Sequence, residues 1–347
     1  MRIILLFISL FLLTSVATAG QVNGFIYHRF GDDRYPSTNI SADIFEQQLA
    51  YLRDNGIEVI SLREIAERLS AGQDLPEHAV ALSVDDAFRS FADVAMPLIR
   101  KYDIPITLFV NTDAVGTAGN LDWNELSELQ TEGVTLGNHT ETHAYLVESR
   151  PGETYAQWQQ RIRAEIDRSQ AAFQEHLGVT PELFAYPYGE YSDEVVAIIR
   201  GAGFKAAFAQ QSGVMHDKHD PLTLPRFPMG GPYATLTGFI DKLRMRPLIV
   251  TVQEPTNPVV AVNPPELNIR LDPSLNLAPS AFNCFVQGDN RCRIERITEK
   301  GEGWYRILAD KPLTGRRNKY TLTAQVAGTW HWFSHLWINA GRSVQPE

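Results

Sequence analysis

The chain has 347 residues, enough for two domains, and a formal net charge of -10. An acidic chain without a basic cluster argues against nucleic acid and against anionic membrane surfaces as partners.

Residues 1–19 read as a secretory signal. Arg2 supplies the positive start, residues 3–13 the apolar region, and Ala17-Thr18-Ala19 a small-residue cleavage site. That apolar region is too short to span a bilayer, and no other long apolar stretch follows. The mature protein is therefore expected in the periplasm or outside the cell, with no stable membrane span once the signal is cleaved.

Residues 24–28 form a first short strand ending in His28, and residues 29–40 a polar loop. Ser41 caps a helix with Ile44, Phe45, Gln48, Leu49 and Leu52 on one stripe, and Asn55-Gly56 ends it. Residues 58–60 read as a second strand. Ser61 and Glu64 form a capping box that opens another helix, stopped near Gly72. Residues 80–84 are an apolar, β-branched run without polar alternation, the pattern of a strand buried on both faces. The run stops at two adjacent carboxylates, Asp85 and Asp86. Acids at the end of a buried strand need a cation, a hydrogen-bond donor or water. The plain alternative is that one of them caps the following turn.

The alternation continues. Residues 91–102 are helical with a local interruption at Pro97. Residues 104–110 form a strand, and Asp122 caps a helix through Thr131. Residues 134–136 form a strand followed by His139-Thr140-Glu141-Thr142-His143. A long helix covers residues 154–177, and residues 183–186 are a strand ending in Pro187-Tyr188-Gly189. Ser192 caps a helix to Arg200, and residues 204–209 are a further strand. About seven strands alternating with about six helices predict an α/β fold, a parallel sheet or distorted (β/α) barrel, over residues 20–247. Prolines 255, 258, 264 and 265 mark residues 248–265 as a linker. Six short strand-like runs follow, at 266–271, 282–285, 293–297, 304–308, 320–326 and 329–338, so residues 266–347 read as a small β-sandwich. Cys284 and Cys292 flank a turn signal at Gly288-Asp289-Asn290. A disulfide across a hairpin suits an exported protein.

In an α/β barrel the reactive groups sit at the C-terminal strand ends. His28, Asp85, Asp86, His139, His143 and Tyr188 all follow predicted strands. On a strand, residues four apart stand about 13 Å apart, too far to share an ion. On a helical turn their Cβ atoms lie about 5–6 Å apart, which suits one metal. Gly137-Asn138 favours a turn at His139. One carboxylate of the Asp pair then completes a two-histidine, one-carboxylate set, and the other is free to act as a general base. His331 and His335 share the spacing but sit in a β-rich run and read as packing or surface residues. Tyr188, Tyr191 and Trp123 are candidates to stack on sugar rings, although aromatics more often pack. The tryptophans at 304, 330, 332 and 337 read first as sandwich core.

Three stretches resemble the motifs of the polysaccharide deacetylase family, carbohydrate esterase family 4 with its NodB-homology domain. They are Ser83-Val84-Asp85-Asp86-Ala87-Phe88, His139-Thr140-Glu141-Thr142-His143 and Ala185-Tyr186-Pro187-Tyr188-Gly189. The resemblance covers residues 22–246. It implies that Asp86, His139 and His143 bind a divalent metal, usually Zn2+, and that Asp85 is the base that activates the metal-bound water. The N–H of Tyr188 would help stabilise the oxyanion, and the substrate would be an N-acetylated amino-sugar polymer that loses acetate. Two departures stand out. Ala185 replaces an arginine that normally holds the base, and the family's late Leu-x-His motif, source of the general acid, is missing. His28 is the better candidate acid, ahead of His216 and His219, with a buried structural histidine as the alternative. Tyr27-His28 and Leu224-Pro225-Arg226-Phe227-Pro228 look like the poly-N-acetylglucosamine deacetylase branch. Arg226 either orients Asp85 or pairs with a core carbonyl. Deacylation of another envelope glycan and sugar binding with little catalysis are the rival expectations.

Overall fold

A computed structural model describes residues 20–272, 275, 277–286 and 291–342. The expected signal at 1–19 and the turn residues 288–290 lie outside the described residues. No helix among the described residues is long and apolar enough to cross a membrane.

The first unit is a curled sheet of parallel strands: β1 Gln21–Tyr27, β2 Ala79–Asp85, β3 Ile106–Val110, β4 Thr135–Asn138, β5 Leu183–Ala185, β6 Ala206–Phe208 and β7 Phe227–Pro228. Their order is β7-β1-β2-β3-β4-β5-β6, with the short strand Met215–His216 antiparallel to the start of β1. One segment links the two edges of the curl. Leu224 bridges to Phe208 beside β6, and Phe227 pairs with Phe25 of β1. Arg226 lies between these two anchor points.

The pleat of β2 explains how a fully buried strand carries an acid. Residues alternate between faces, and Val80, Leu82 and Val84 join the large outer core with Phe45, Leu49 and Leu108. Ala79 and Ala81 face the interior of the curl with Phe109, Ala185, Ala206, Phe208 and Leu224. Ser83 and Asp85 share that interior phase. Helices α1 Ala42–Asp54, α2 Leu62–Ser70, α3 Met96–Tyr102, α4 Trp123–Thr131, α5 Tyr155–Leu177, α6 Asp193–Gly201 and α7 Leu236–Leu243 surround the sheet. Ser41, Asp122 and Ser192 cap as expected and Thr154 caps α5, each side chain accepting a backbone N–H from the first turn. Ser61 caps α2 in the same way, but the expected capping box is not closed, because the Glu64 carboxylate accepts from Arg68 Nε instead. A π-helical turn at Phe91–Ala95 leads into α3, where Pro97 occupies the first turn and costs no hydrogen bond. The expected strand at 58–60 is reduced to one bridge, Val59 with Val80.

The second unit is two four-stranded sheets. One runs β8 Arg246–Pro247, β15 Thr329–Ile338, β14 Arg317–Val326, β11 Phe282–Phe285. The other runs β9 Val250–Glu254, β10 Glu266–Leu271, β13 Trp304–Ala309, β12 Cys292–Arg296. Leu267, Ile269, Tyr305, Ile307, Tyr320, Leu322 and Trp337 fill the space between them. Two expectations need correction. The stretch 248–265 is not wholly a linker, because the β-branched run Val250-Thr251-Val252 pairs with β10 before Pro255 ends it. Cys284 and Cys292 are disulfide-bonded, but β11 pairs with β14 and β12 with β13. The bond joins the two sheets rather than the arms of one hairpin.

Candidate active site

At the C-terminal rim of the curl, Asp86, His139 and His143 bring their ligand atoms within 4.8 Å of one another, the one such group among the described residues. Asp86 Oδ1 is 3.6 Å from His139 Nε2 and 3.4 Å from His143 Nε2.

His139 and His143 converge without the expected helical turn. Asn138 Oδ1 accepts from the Thr140 N–H at 2.7 Å, and Thr140 Oγ1 accepts from the His143 N–H at 3.1 Å. Thr140 and His143 take φ of 68° and 56°, in the left-handed region. Buried Glu165 of α5 ties the middle of the loop by accepting from Thr142 N at 3.0 Å and Thr142 Oγ1 at 2.9 Å. Side-chain bonds to the backbone thus supply the bend that a helix would have supplied. Asp86, Ala87 and Tyr188 also have positive φ, 78°, 50° and 59°. Five non-glycine residues in this region, at roughly 1–3 kcal/mol each, mark a site whose surroundings over-determine its backbone.

The donor set fits a divalent cation. The Ala185 carbonyl lies 2.7 Å from His139 Nδ1 and accepts its proton, which leaves Nε2 as a lone pair facing Asp86. That Nε2 is buried with no hydrogen-bond partner. Burial pushes the His139 ring down to about 3 and lowers His143 as well, so both are neutral. Burial pushes the Asp86 carboxyl up to about 6, with the Asp85 charge adding to the rise and His28 and Arg29 only partly opposing it. An ion would satisfy the orphaned lone pair and favour the carboxylate together.

Asp85 is fully buried and gripped by Arg226, itself fully buried. Arg226 Nη1 donates to Asp85 Oδ1 at 2.8 Å and Nη2 to Oδ2 at 2.9 Å, while further bonds to Ser83 Oγ and the Ala209 carbonyl fix the guanidinium. Burial is the largest influence and would raise the Asp85 carboxyl; the charge and hydrogen bonds of Arg226, with His139 and His28, together outweigh it and hold the group below its ordinary value. Both alternatives left open for Arg226 are realised at once, a carboxylate and a core carbonyl. Asp85 Oδ2 lies 3.9 Å from His139 Nε2, beside the Asp86-His139-His143 group.

His28, Asp86, His143 and Tyr188 line one cleft of about 770 Å³. Burial lowers the His28 ring, against the opposing pull of Asp85 and Asp86. Of the three aromatic candidates only Tyr188 reaches the cleft. Tyr191 is buried and donates to Gln211 Oε1 at 3.0 Å. Trp123 stacks on His176 at 4.5 Å. His216 and His219 stack on each other at 3.8 Å beside the start of β1, at the opposite sheet end from the site. His335 is buried in β15, and His331 meets the Pro247 carbonyl. Trp337 is core, and Trp332 packs on Phe227 between the units.

Sequence reasoning missed one wall of the cleft. Gly315, Arg316, Arg317, Asn318 and Lys319, at the start of β14, face His28 and Tyr188 across it. No carboxylate pairs with Arg317 or Lys319 among the described residues; Lys319 Nζ donates to Ser212 Oγ at 3.1 Å. Glu165 was missed too, although an acid on the buried stripe Ile162, Ile166, Ser169 of α5 was a readable signal, and Asn138 was read only as part of a turn signal.

Residues 72–207 match the family model for polysaccharide deacetylase. Over 217 residues the chain is 25% identical to a poly-beta-1,6-N-acetyl-D-glucosamine N-deacetylase of Staphylococcus aureus (strain MRSA252), covering 61% of this chain and 74% of that one. The fold is shared with the Streptococcus pyogenes deacetylase PplD in complex with acetate, at 24% identity and a TM-score of 0.57 over 65% of this chain and 99% of that one. IcaB from Ammonifex degensii is 26% identical with a TM-score of 0.55, over 62% and 94%. The class is that of hydrolases acting on carbon–nitrogen bonds other than peptide bonds. Residues 72–207 therefore carry a polysaccharide deacetylase domain like that of these relatives.

Proposed function

We propose that the protein is exported and hydrolyses N-acetyl groups from a polysaccharide containing N-acetylglucosamine, an exopolysaccharide or peptidoglycan, with release of acetate. The carrying observation is a buried carboxylate with its own guanidinium, Asp85 with Arg226, 3.9 Å from a ring of an Asp-His-His group whose lone pair has no partner. Residues 20–247 form the deacetylase domain in this reading and residues 266–347 the sandwich, with 1–19 as the export signal.

Asp86, His139 and His143 would hold a divalent ion, with Zn2+ the first candidate among the ions that imidazole and carboxylate ligands suit. When bound, such an ion acidifies a water and polarises an acyl oxygen. Asp85 stays ionised because Arg226 lowers its pKa, and takes the proton of the attacking water. Arg226 keeps that carboxylate in one orientation. The Tyr188 N–H is the candidate donor to the developing oxyanion. His28, across the cleft, is the candidate proton donor to the leaving amine. Its lowered pKa leaves the ring charged in a minority of molecules at neutral pH but makes the charged ring a stronger donor. The rival of a weakly catalytic sugar-binding protein loses one of its two motives, because the pairing of Arg226 with Asp85 supports a substitute for the arginine that Ala185 replaces; the missing late histidine motif remains the other.

The test is acetate release from poly-N-acetylglucosamine and from peptidoglycan, with chelator and with added zinc. Release that chelation abolishes and zinc restores is expected. No release with zinc bound would point to another acyl substrate, and neither release nor binding would leave the sugar-binding reading. His28→Ala should slow hydrolysis of the amide on the order of 10²–10³-fold but barely touch a 4-nitrophenyl ester, whose leaving group needs no proton. Equal losses on both substrates would remove His28 from the acid role.

A further inference from the structure

The sandwich is built into the deacetylase site. Two consecutive arginines, Arg316 and Arg317 at the start of β14, reach across to the loop Pro187–Gly189 that carries Tyr188. Arg317 Nη1 donates to the Tyr188 carbonyl and, at 3.5 Å, to Gln210 Oε1. Arg316 grips the other side of the loop. Its Nε and Nη2 both donate to the Glu190 carboxylate at 2.8 Å, and its Nη1 donates to Glu148 at 2.9 Å. The same guanidinium lies 3.9 Å from the ring centre of Tyr145, which stacks on Tyr188 at 3.9 Å, and Tyr188 meets His143 edge-on at 4.4 Å. A chain of contacts thus runs from the sandwich to a residue of the metal-binding group.

The loop needs such a grip. Tyr188 has φ 59° and ψ 2°, a conformation that a bulky residue adopts only when its surroundings impose it. Gly189 follows with φ 71°, and a Cβ there would come within 2.3 Å of the Gln210 backbone nitrogen. From within the first unit the loop is held by Gly189 N donating to Tyr186 O at 2.8 Å and Glu190 N to Pro187 O at 3.1 Å. Both bonds are internal to the turn and say nothing of its direction toward the cleft. The bonds that fix the Tyr188 peptide and the buried Glu190 to an outside frame come from Arg317 and Arg316. PplD is covered almost whole by 65% of this chain, so about a third of this chain lies beyond what the two share.

We propose that Arg317 and Arg316 are positioning residues for the deacetylation reaction: the sandwich holds the Tyr188 peptide in the orientation that turnover requires. This inference rests on the functional reading above. Arg317 is exposed and has no ion pair among the described residues, so its removal leaves no buried charge behind.

The test uses the full chain with zinc bound. Arg317→Gln should lower kcat on the order of 10–100-fold, the scale of a misplaced reacting group, with KM and zinc stoichiometry little changed. Arg317→Lys, which keeps a donor for the carbonyl, should recover part of that loss. Hydrogen exchange of the peptide spanning 186–191 should rise in Arg317→Gln and in Arg316→Lys, while exchange in β2 and β3 stays as in the parent. Unchanged exchange at 186–191 would overturn the proposal whatever the rates do. Faster exchange with unchanged kcat would overturn it too, since the grip would then not matter to turnover. Faster exchange in a protein whose parent releases no acetate would sink the deacetylase reading and leave the grip standing.

Discussion

Asp85→Asn is expected to reduce acetate release on the order of 10³-fold while zinc still binds at Asp86, His139 and His143. The substitution keeps the shape of the side chain and one acceptor for Arg226, but removes the carboxylate proposed to take the proton from water. General base catalysis is worth roughly 10²–10⁴-fold, and Arg226 already holds Asp85 in one orientation through two bonds at 2.8 and 2.9 Å. The variant also leaves the Arg226 charge without its partner, so it should unfold at lower denaturant than the parent. The rate must therefore be read per zinc-loaded, folded molecule, with zinc content measured beside it. Asp86→Ala is the contrast: there the zinc and the activity should disappear together. A zinc-loaded Asp85→Asn protein with the parent rate would show that another group is the base.

The parts of this site that were legible in the sequence are those written in short range. β2 announces itself by an apolar run dense enough to be buried on both faces, and the two acids where it ends stand out because charges there need a partner. The alternation of strand and helix then places His28, His139 and Tyr188 on the same rim. The shape of the 139–143 loop was not legible, because it depends on Asn138 and Thr140 side chains bonding to backbone and on Glu165 arriving from α5. Spacing alone left a helical turn as the obvious way to bring two histidines together.

Long-range pairings were the least legible. Arg226 stands 141 residues from Asp85, and nothing local says which of two roles its guanidinium takes. The geometry supplies the reason: the segment 224–228 crosses from β6 to β1, so a side chain pointing inward from its middle meets the interior face of β2. The two arginines of β14 were invisible for the same reason on a larger scale. Arg316-Arg317 reads as a polar turn before a strand, and only the docking of the sandwich turns it toward Tyr188. The disulfide pair was found, but its setting was not, because adjacency in sequence suggested a hairpin where the chain passes between sheets.

Arg226→Met should destabilise the protein by about 3–5 kcal/mol, the cost of leaving a buried charge without its partner. Against a total stability of roughly 5–15 kcal/mol this is a large fraction. The sign of the pH dependence follows from Asp85. In the parent its folded pKa is depressed, so its contribution is present above the unfolded value and is lost as pH falls through the folded one. In the variant the offset from Arg226 is gone, and burial, the largest influence, outweighs His139 and His28 and raises the folded pKa. The variant then loses stability as pH climbs from about 4 toward neutrality, where the carboxylate of the unfolded chain is ionised and that of the folded chain resists. The gap between the two proteins should therefore widen between acid and neutral pH, measured by denaturant unfolding with chelator present so that zinc binding does not contribute. A gap below about 1 kcal/mol, or one that stays constant with pH, would mean that the pair does not set the charge of Asp85. Ala185 shares the interior of the curl with Asp85, and β5 brings it to the site through its carbonyl on His139. Adding Ala185→Arg to Arg226→Met should close part of the gap, because the pairing depends on a guanidinium reaching Asp85 and not on the strand from which it comes.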